Sequence, residues 1–320
     1  MTAQRAYASA ADKNEQDGSF QRPASSFRNF IEKGGKFAPE RDRYHLYVSY
    51  ACPWATRALI VRKLKGLEDI IPFTSVSPLM GPDGWPFSRA DDPSSAFPAA
   101  DADPLYGSAH VKDLYFRADP AYAGRFTVPV LWDKQLRTIV NNESAEIVRI
   151  LNSAFDELMD PARAAADLYP AALRAEIDAV NEWVYAQINN GVYRAGFATT
   201  QAAYDKAVAE VFDGLDRAEQ ILSERAYLAG DSLTEADVRL WVTTIRFDPV
   251  YVGHFKCNRR TIRAGYPAIN EWQKKLYWTN DAFRASTRFD HIKTHYYWSH
   301  PHINPTRIVP SGPVPDIEPL

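Results

Sequence analysis

A thiol next to a proline, at the junction of a strand and a helix, stands where a nucleophile is made, and Cys52-Pro53 has that setting. The aromatic and β-branched run YHLYVSY (residues 44–50) before it suits a strand. ATRALIVRKLK after it suits a helix that Pro53 opens and Gly66 stops. A thiolate at a helix N-terminus meets backbone N–H groups and the positive end of the helix dipole, which bring a thiol pKa from about 8.5 into the range of about 3.5–7.5. The position where a CxxC pair would have its second cysteine is Ala55, so a second thiol has to come from another molecule. The other cysteine, Cys257, has no helix start beside it and is expected to be a small buried hydrophobe.

Two further elements complete a ligand-sized pattern. Val128-Pro129 opens a strand in TVPVLWD, and in a β-α-β-β-α order that proline is expected to be cis, with the backbone of Val128 turned toward an extended peptide. Glu143-Ser144 stands at a helix start, where hydroxyl and N–H groups hold a carboxylate and the Glu pairs with an ammonium. Together with Cys52 these fit an extended zwitterionic tripeptide with its sulfur at the thiol. Their bland alternatives are an edge-strand proline and a plain helix cap.

The elements that must position these groups follow from periodicity. Residues 1 to about 40 are polar and small, with an aromatic-basic patch, and are expected to form an arm over the body of the fold. After the first strand and helix come a second strand (70–77), then some 45 irregular residues, of the length usually functional or disordered. Within them Trp85, in GPDGWPFS, is a lid or a surface plug. A hairpin (127–133 and 138–142) and a helix from Glu143 follow. Beyond Asp160-Pro161 the pattern is helical: Leu173, Ile177, Val180, Val184 and Ile188 share one face, as do Val208, Val211, Phe212, Leu215, Ile221 and Leu222. Thr234 and Asp237 form a capping box. Another helix is expected around Ile269, Trp272 and Leu276, before a tail rich in His, Tyr and Pro, and Trp183, Trp241 and Trp272 are read as core.

Composition narrows the classes. A chain of 320 residues with 46% hydrophobic residues and net charge −3 suits two folded domains and offers no basic field for nucleic acid. Two cysteines make no disulfide framework, and neither a signal-peptide core nor a run of about 18 apolar residues occurs, so a cytoplasmic, membrane-free protein is expected. His291 and His295 are four apart, with His300 and His302 nearby, yet no Cys or carboxylate completes a set, and no metal is expected.

YACPWATR, GWPFS, TVPVLWD, NNESAEI, NNGVYRAGFA, DPVYVGHFKCN and the terminal HYYWSH and INPTRIVPSGP together give a resemblance over nearly the whole chain. The sequence resembles the glutathionyl-hydroquinone reductases, also called Xi-class glutathione transferases. The resemblance implies a thioredoxin-like domain followed by an all-helical glutathione-transferase domain, in a homodimer, with glutathione as cosubstrate and no permanent cofactor. We place the division at 1–160, arm and glutathione-binding domain, and 161–320, helical domain and tail with the hydroquinone site. By resemblance Cys52 is the catalytic cysteine and Trp85, Val128, Glu143 and Ser144 contact glutathione. Tyr193, Tyr251 and Tyr296 line the quinol site, Tyr297 being the other reading of the last.

The expected reaction is reduction of S-glutathionyl-hydroquinones through a Cys52–glutathione mixed disulfide. The alternatives are an omega-like thioltransferase or dehydroascorbate reductase, which needs the same cysteine but no quinol pocket, and a non-catalytic interaction module of the same fold.

Overall fold

The computed structural model describes residues 16–320, so the first fifteen residues of the arm lie outside the description. The chain divides into two compact units. The first holds Ala24–Asp167 together with Ser286–Ile308; the second holds Leu168–Ala285, Val309–Leu320 and, of the arm, residues 16–23. Thus the segment Ser286–Ile308, which a single division near residue 160 assigns to the helical part, packs with the first unit.

The first unit is thioredoxin-like, built on a four-stranded sheet of order β2-β1-β3-β4. Strand β1 (Tyr44–Val48) runs parallel to β2 (Phe73–Ser75) and antiparallel to β3 (Val130–Asp133), which pairs with β4 (Thr138–Asn141). Every residue of β1 is buried, which accounts for its unbroken aromatic and aliphatic run. Helix α1 (Pro53–Leu64) packs against α3 (Ser144–Ser153), and α2 (Val111–Ala118) packs on β4. Pro53 opens α1 without a lost N–H bond, and Gly66 at φ +67° follows its end in the left-handed conformation that glycine adopts without strain.

Beyond α4 (Pro161–Ala164), the second unit is helical. It comprises α5 (Arg174–Trp183), α6 (Gly191–Gly196), α7 (Gln201–Glu224), α8 (Glu235–Arg246), α9 (Ile262–Gly265), α10 (Pro267–Thr279) and α11 (Asp281–Ala285). The expected apolar stripe from Leu173 to Ile188 is broken at Trp183, after which residues Val184–Asn189 form a wider π-helical turn that keeps Val184 and Ile188 buried. The capping box starts α8: buried Asp237 accepts from the N–H groups of Thr234 (2.9 Å) and Leu228 (3.0 Å), and burial pushes its carboxyl up to about 6. Trp183, Trp241 and Trp272 are buried as read.

In the first unit two helices were not foreseen. Helix α2 lies inside the long irregular stretch, started by a reciprocal cap between His110 and Asp113. The tail forms α12 (Phe289–Ser299), in the first unit. Strand β2 is also shorter than the 70–77 run, and β3 begins at Val130, after the proline.

One buried ion pair ties the sheet's end. Arg43 donates from Nε (2.9 Å) and a terminal nitrogen (2.7 Å) to Asp133 Oδ2, while Asp133 Oδ1 accepts the N–H groups of Gln135 and Leu136 in the hairpin turn. Asp133 is fully buried, so its removal leaves the guanidinium to Glu40 (2.7 Å) and the Lys36 carbonyl (2.9 Å) and strands two turn donors. Asp133→Ala is expected to cost about 3 kcal/mol, read as a lower thermal or urea midpoint.

Candidate active site

In the first unit the geometry starts at Cys52. It is the N-cap residue of α1, with φ −78° and ψ 118°, and its carbonyl accepts from the N–H and hydroxyl of Thr56, each at 3.0 Å. The thiol is buried and donates to the carbonyl of Val128 at 3.5 Å. The Val128–Pro129 peptide is cis, as expected, so strand–turn–helix and proline turn meet at one sulfur. Once the proton leaves, the anion lies at the positive end of α1, where the helix dipole favours it.

The start of α3 is the second focus. Glu143 caps the helix through Oε1, which accepts from the Ala145 N–H at 3.1 Å, and Oε2 accepts from the hydroxyl of Ser25 at 3.0 Å. Ser144 is buried, and its hydroxyl accepts from the guanidinium of Arg57 at 3.4 Å. Arg57, on α1, also lies over the Trp54 ring at 4.6 Å. The two helix starts are therefore joined by a buried cation between Trp54 and Ser144.

Trp85 is neither an exposed lid nor a plug: it is buried and stacks on His295 of α12, with ring centroids 4.3 Å apart and 25° between planes. That helix is tied to the loop before α2 by its side chains. His291 Nε2 donates to the Pro98 carbonyl (2.5 Å), and His295 Nδ1 and Ser299 Oγ both donate to that of Pro78 (3.1 Å each). The histidine spacing that suggested ligands serves these bonds. Among the described residues no group of three or more His, Cys, Asp or Glu is placed to hold a metal, and no helix is long and apolar enough to cross a membrane.

Tyr296, also on α12, is buried with its ring edge-on to His295 and His300, whereas Tyr297 is half-buried. The other two tyrosines meet in the second unit. Tyr193 of α6 and Tyr251, in the π-helical turn Phe247–Tyr251, have centroids 6.2 Å apart, and Phe255 stacks on Tyr251 at 5.4 Å. Gly196 permits this, since a Cβ there would overlap the Phe255 ring. The Arg22 guanidinium lies 4.8 Å over the Tyr193 ring while its Nε donates to Asn190.

Composition and spacing did not single out Tyr115. Its hydroxyl donates to the Thr127 carbonyl (2.9 Å) and accepts from the Thr127 N–H and from Asn142 Nδ2 (3.0 Å). One buried phenol thus fixes the residue before Val128 and the residue before Glu143. Burial pushes its acidity well below that of an ordinary tyrosine.

A sheet of this order, with a cysteine capping its first helix opposite a cis proline and a helical unit after it, defines the glutathione transferase class. Family models agree: "Glutathione S-transferase, N-terminal domain" matches residues 51–154 and "Glutathione S-transferase, C-terminal domain" matches 201–273. The chain is 57% identical to glutathione S-transferase omega-like 2 of Schizosaccharomyces pombe, over 96% of this chain and 97% of that one. It is 51% identical to the glutathionyl-hydroquinone reductase YqjG of Escherichia coli, over 96% and 93%. Among solved structures, the glutathione transferase Xi of Phanerochaete chrysosporium superposes with a TM-score of 0.93 at 63% identity, covering 96% of this chain and 97% of that one. Glutathione-bound YqjG superposes with a TM-score of 0.84 at 51% identity, covering 90% and 92%. The chain belongs to the Xi-class glutathione transferases, the family of the glutathionyl-hydroquinone reductases.

Proposed function

We propose that this enzyme reduces S-glutathionyl-hydroquinones to hydroquinones with glutathione as the reductant. The observation that carries the reading is the Cys52 thiol at the start of α1, 3.5 Å from the Val128 carbonyl, in a chain whose only other cysteine is Cys257. Burial pushes the Cys257 thiol up to about 12, which suits it to packing and not to attack.

In the first half-reaction the Cys52 thiolate attacks the sulfur of the conjugate. A sulfur–sulfur bond forms, the carbon–sulfur bond breaks, and the ring carbon takes the electron pair and a proton, so hydroquinone leaves. In the second, the thiolate of a free glutathione attacks the Cys52–glutathione disulfide, releasing oxidised glutathione and the Cys52 thiolate. The thioether sulfur of the conjugate and the thiol of the second glutathione are oxidised to one disulfide while the aryl carbon takes the two electrons and a proton, so the electrons balance.

The Val128 backbone and Trp85 are assigned to the peptide and Ser144 to a carboxylate of glutathione, with Glu143 taking the ammonium. Tyr193, Tyr251 and Tyr296 are assigned to the quinol oxygens. The homodimer and the cytoplasmic location belong to the same proposal, as does the use of Tyr193 and Tyr251 of the second unit for the quinol.

Mass spectrometry tests the covalent route. The protein is mixed with glutathionyl-hydroquinone and no free glutathione. The expected result is one glutathione adduct on the Cys52 peptide, none on Cys257, and free hydroquinone in equal amount. No adduct rejects the route. Turnover of a simple glutathione mixed disulfide that outpaces the quinol conjugate would instead favour a thioltransferase.

A further inference from the structure

The arm does more than cover the fold, because it pairs with the edge of the sheet beside Glu143. The Asn142 N–H donates to the Phe27 carbonyl (3.0 Å), the Asn29 N–H donates to the Val140 carbonyl (3.1 Å), and Arg28 lies opposite Asn141 in antiparallel register. Side chains reinforce the pairing: Asn142 Oδ1 accepts the Phe27 N–H (3.1 Å) and Asn141 Nδ2 donates to the Asn29 carbonyl (3.0 Å). Arg28 forms a two-pronged ion pair with Glu146, one turn into α3. Backbone ladder and ion pair together dock residues 27–29 without any help from Ser25.

Ser25 then has a separate job. Its single hydroxyl proton has two acceptors in reach, Glu143 Oε2 at 3.0 Å and the Asn142 carbonyl at 3.4 Å, and the charged, nearer oxygen takes it. Glu143 Oε1 is already held by the Ala145 N–H, and the Glu143 backbone N–H donates to Asn141 Oδ1 at 2.7 Å. Both carboxylate oxygens are therefore oriented by the protein, one by its own helix and one by the arm. We propose that Ser25 is a positioning residue that aims the Glu143 carboxylate at the α-ammonium of glutathione. This rests on the assignment of Glu143 to that ammonium.

The test uses the full-length enzyme and the first half-reaction, in single turnover without free glutathione, because there the glutathionyl group that enters the site is the one whose ammonium meets Glu143. Two conjugates are compared: glutathionyl-hydroquinone, and the same conjugate made with desamino-glutathione, in which the α-amino group is replaced by hydrogen. Ser25→Ala is expected to raise the half-saturating concentration of the glutathionyl conjugate about fivefold to tenfold with the limiting rate unchanged, and to leave that of the desamino conjugate as in the unsubstituted protein. Ser25→Thr restores it, and the melting temperature does not move. Glu143→Gln shows the same selectivity for the amine-bearing conjugate, more strongly. If Glu143→Gln discriminates between the conjugates and Ser25→Ala does not, Ser25 has no positioning role. Equal losses for both conjugates in Ser25→Ala mean a structural role and also overturn the proposal. A Glu143→Gln protein that treats both conjugates alike removes the ammonium assignment itself, and the proposal with it.

Discussion

Cys52→Ser is expected to lower turnover of glutathionyl-hydroquinone by about 10³-fold or more while leaving the fold intact. The substitution keeps a donor for the Val128 carbonyl and keeps Pro53 at the first position of α1, so neither the turn nor the helix loses a partner. The nucleophile is what goes. A helix N-terminus moves a thiol by up to about 5 pKa units, enough to make it an anion near neutral pH, whereas an alkoxide starts far higher and stays protonated. A serine here would also have to form a weak sulfur–oxygen bond where the cysteine forms a sulfur–sulfur bond. Glutathione binding should survive, since Glu143 and Ser144 are untouched, and calorimetry of the variant separates binding from chemistry. A variant retaining a tenth or more of the rate would mean that free glutathione attacks the conjugate directly, with Cys52 as bystander.

The sequence made the turn around Cys52 legible for a physical reason: its signals are local. An aromatic and β-branched strand, a proline at the first helical position and a glycine at the stop lie within 23 residues, and each acts on its own neighbours. Val128-Pro129 was readable in the same way, from the order of elements around it. Helix α12 was not, because what holds it comes from far away in the chain. His291, His295 and Ser299, four residues apart each time, bond to carbonyls 193 to 221 residues earlier, and only the spacing is visible beforehand. An eleven-residue helix has little stability without such tertiary partners.

Helix α2 escaped for a related reason. It has eight residues, stands among glycines and prolines, and is capped by a histidine–aspartate pair instead of the usual Ser or Thr with Glu. Missing it meant missing Tyr115, whose hydroxyl joins the proline turn to the start of α3. The arm shows the same limit. Its polarity predicts a surface segment, but nothing in residues 24–29 announces that their backbone completes the edge of β4. Candidate ligand contacts could thus be named from local pattern and resemblance, while the residues that aim them had to be found in three dimensions.

Tyr251→Phe is expected to lower the quinol half-reaction about tenfold to a hundredfold and to leave reduction of the Cys52–glutathione disulfide at its normal rate. Cleavage of the carbon–sulfur bond places electron density on the quinol ring, and its oxygens need donors as that charge develops. A single donor to a developing oxyanion is worth about 10²–10³ in kcat at a fully organised site, and less where three phenols share the task. The surroundings of Tyr251 favour a clean experiment. Its ring is buried, stacked on Phe255 and edge-on to Phe247, and those contacts involve the ring faces and edges that phenylalanine keeps. Tyr193→Phe should behave alike, since its ring contacts with Phe255 and the Arg22 guanidinium also survive loss of the hydroxyl. Stopped-flow measurement reads each half-reaction separately: conjugate without free glutathione for the first, and preformed Cys52–glutathione disulfide with glutathione for the second. An equal loss in both half-reactions would mean that the phenol supports the fold or the glutathione site, and its assignment to the quinol would have to be dropped.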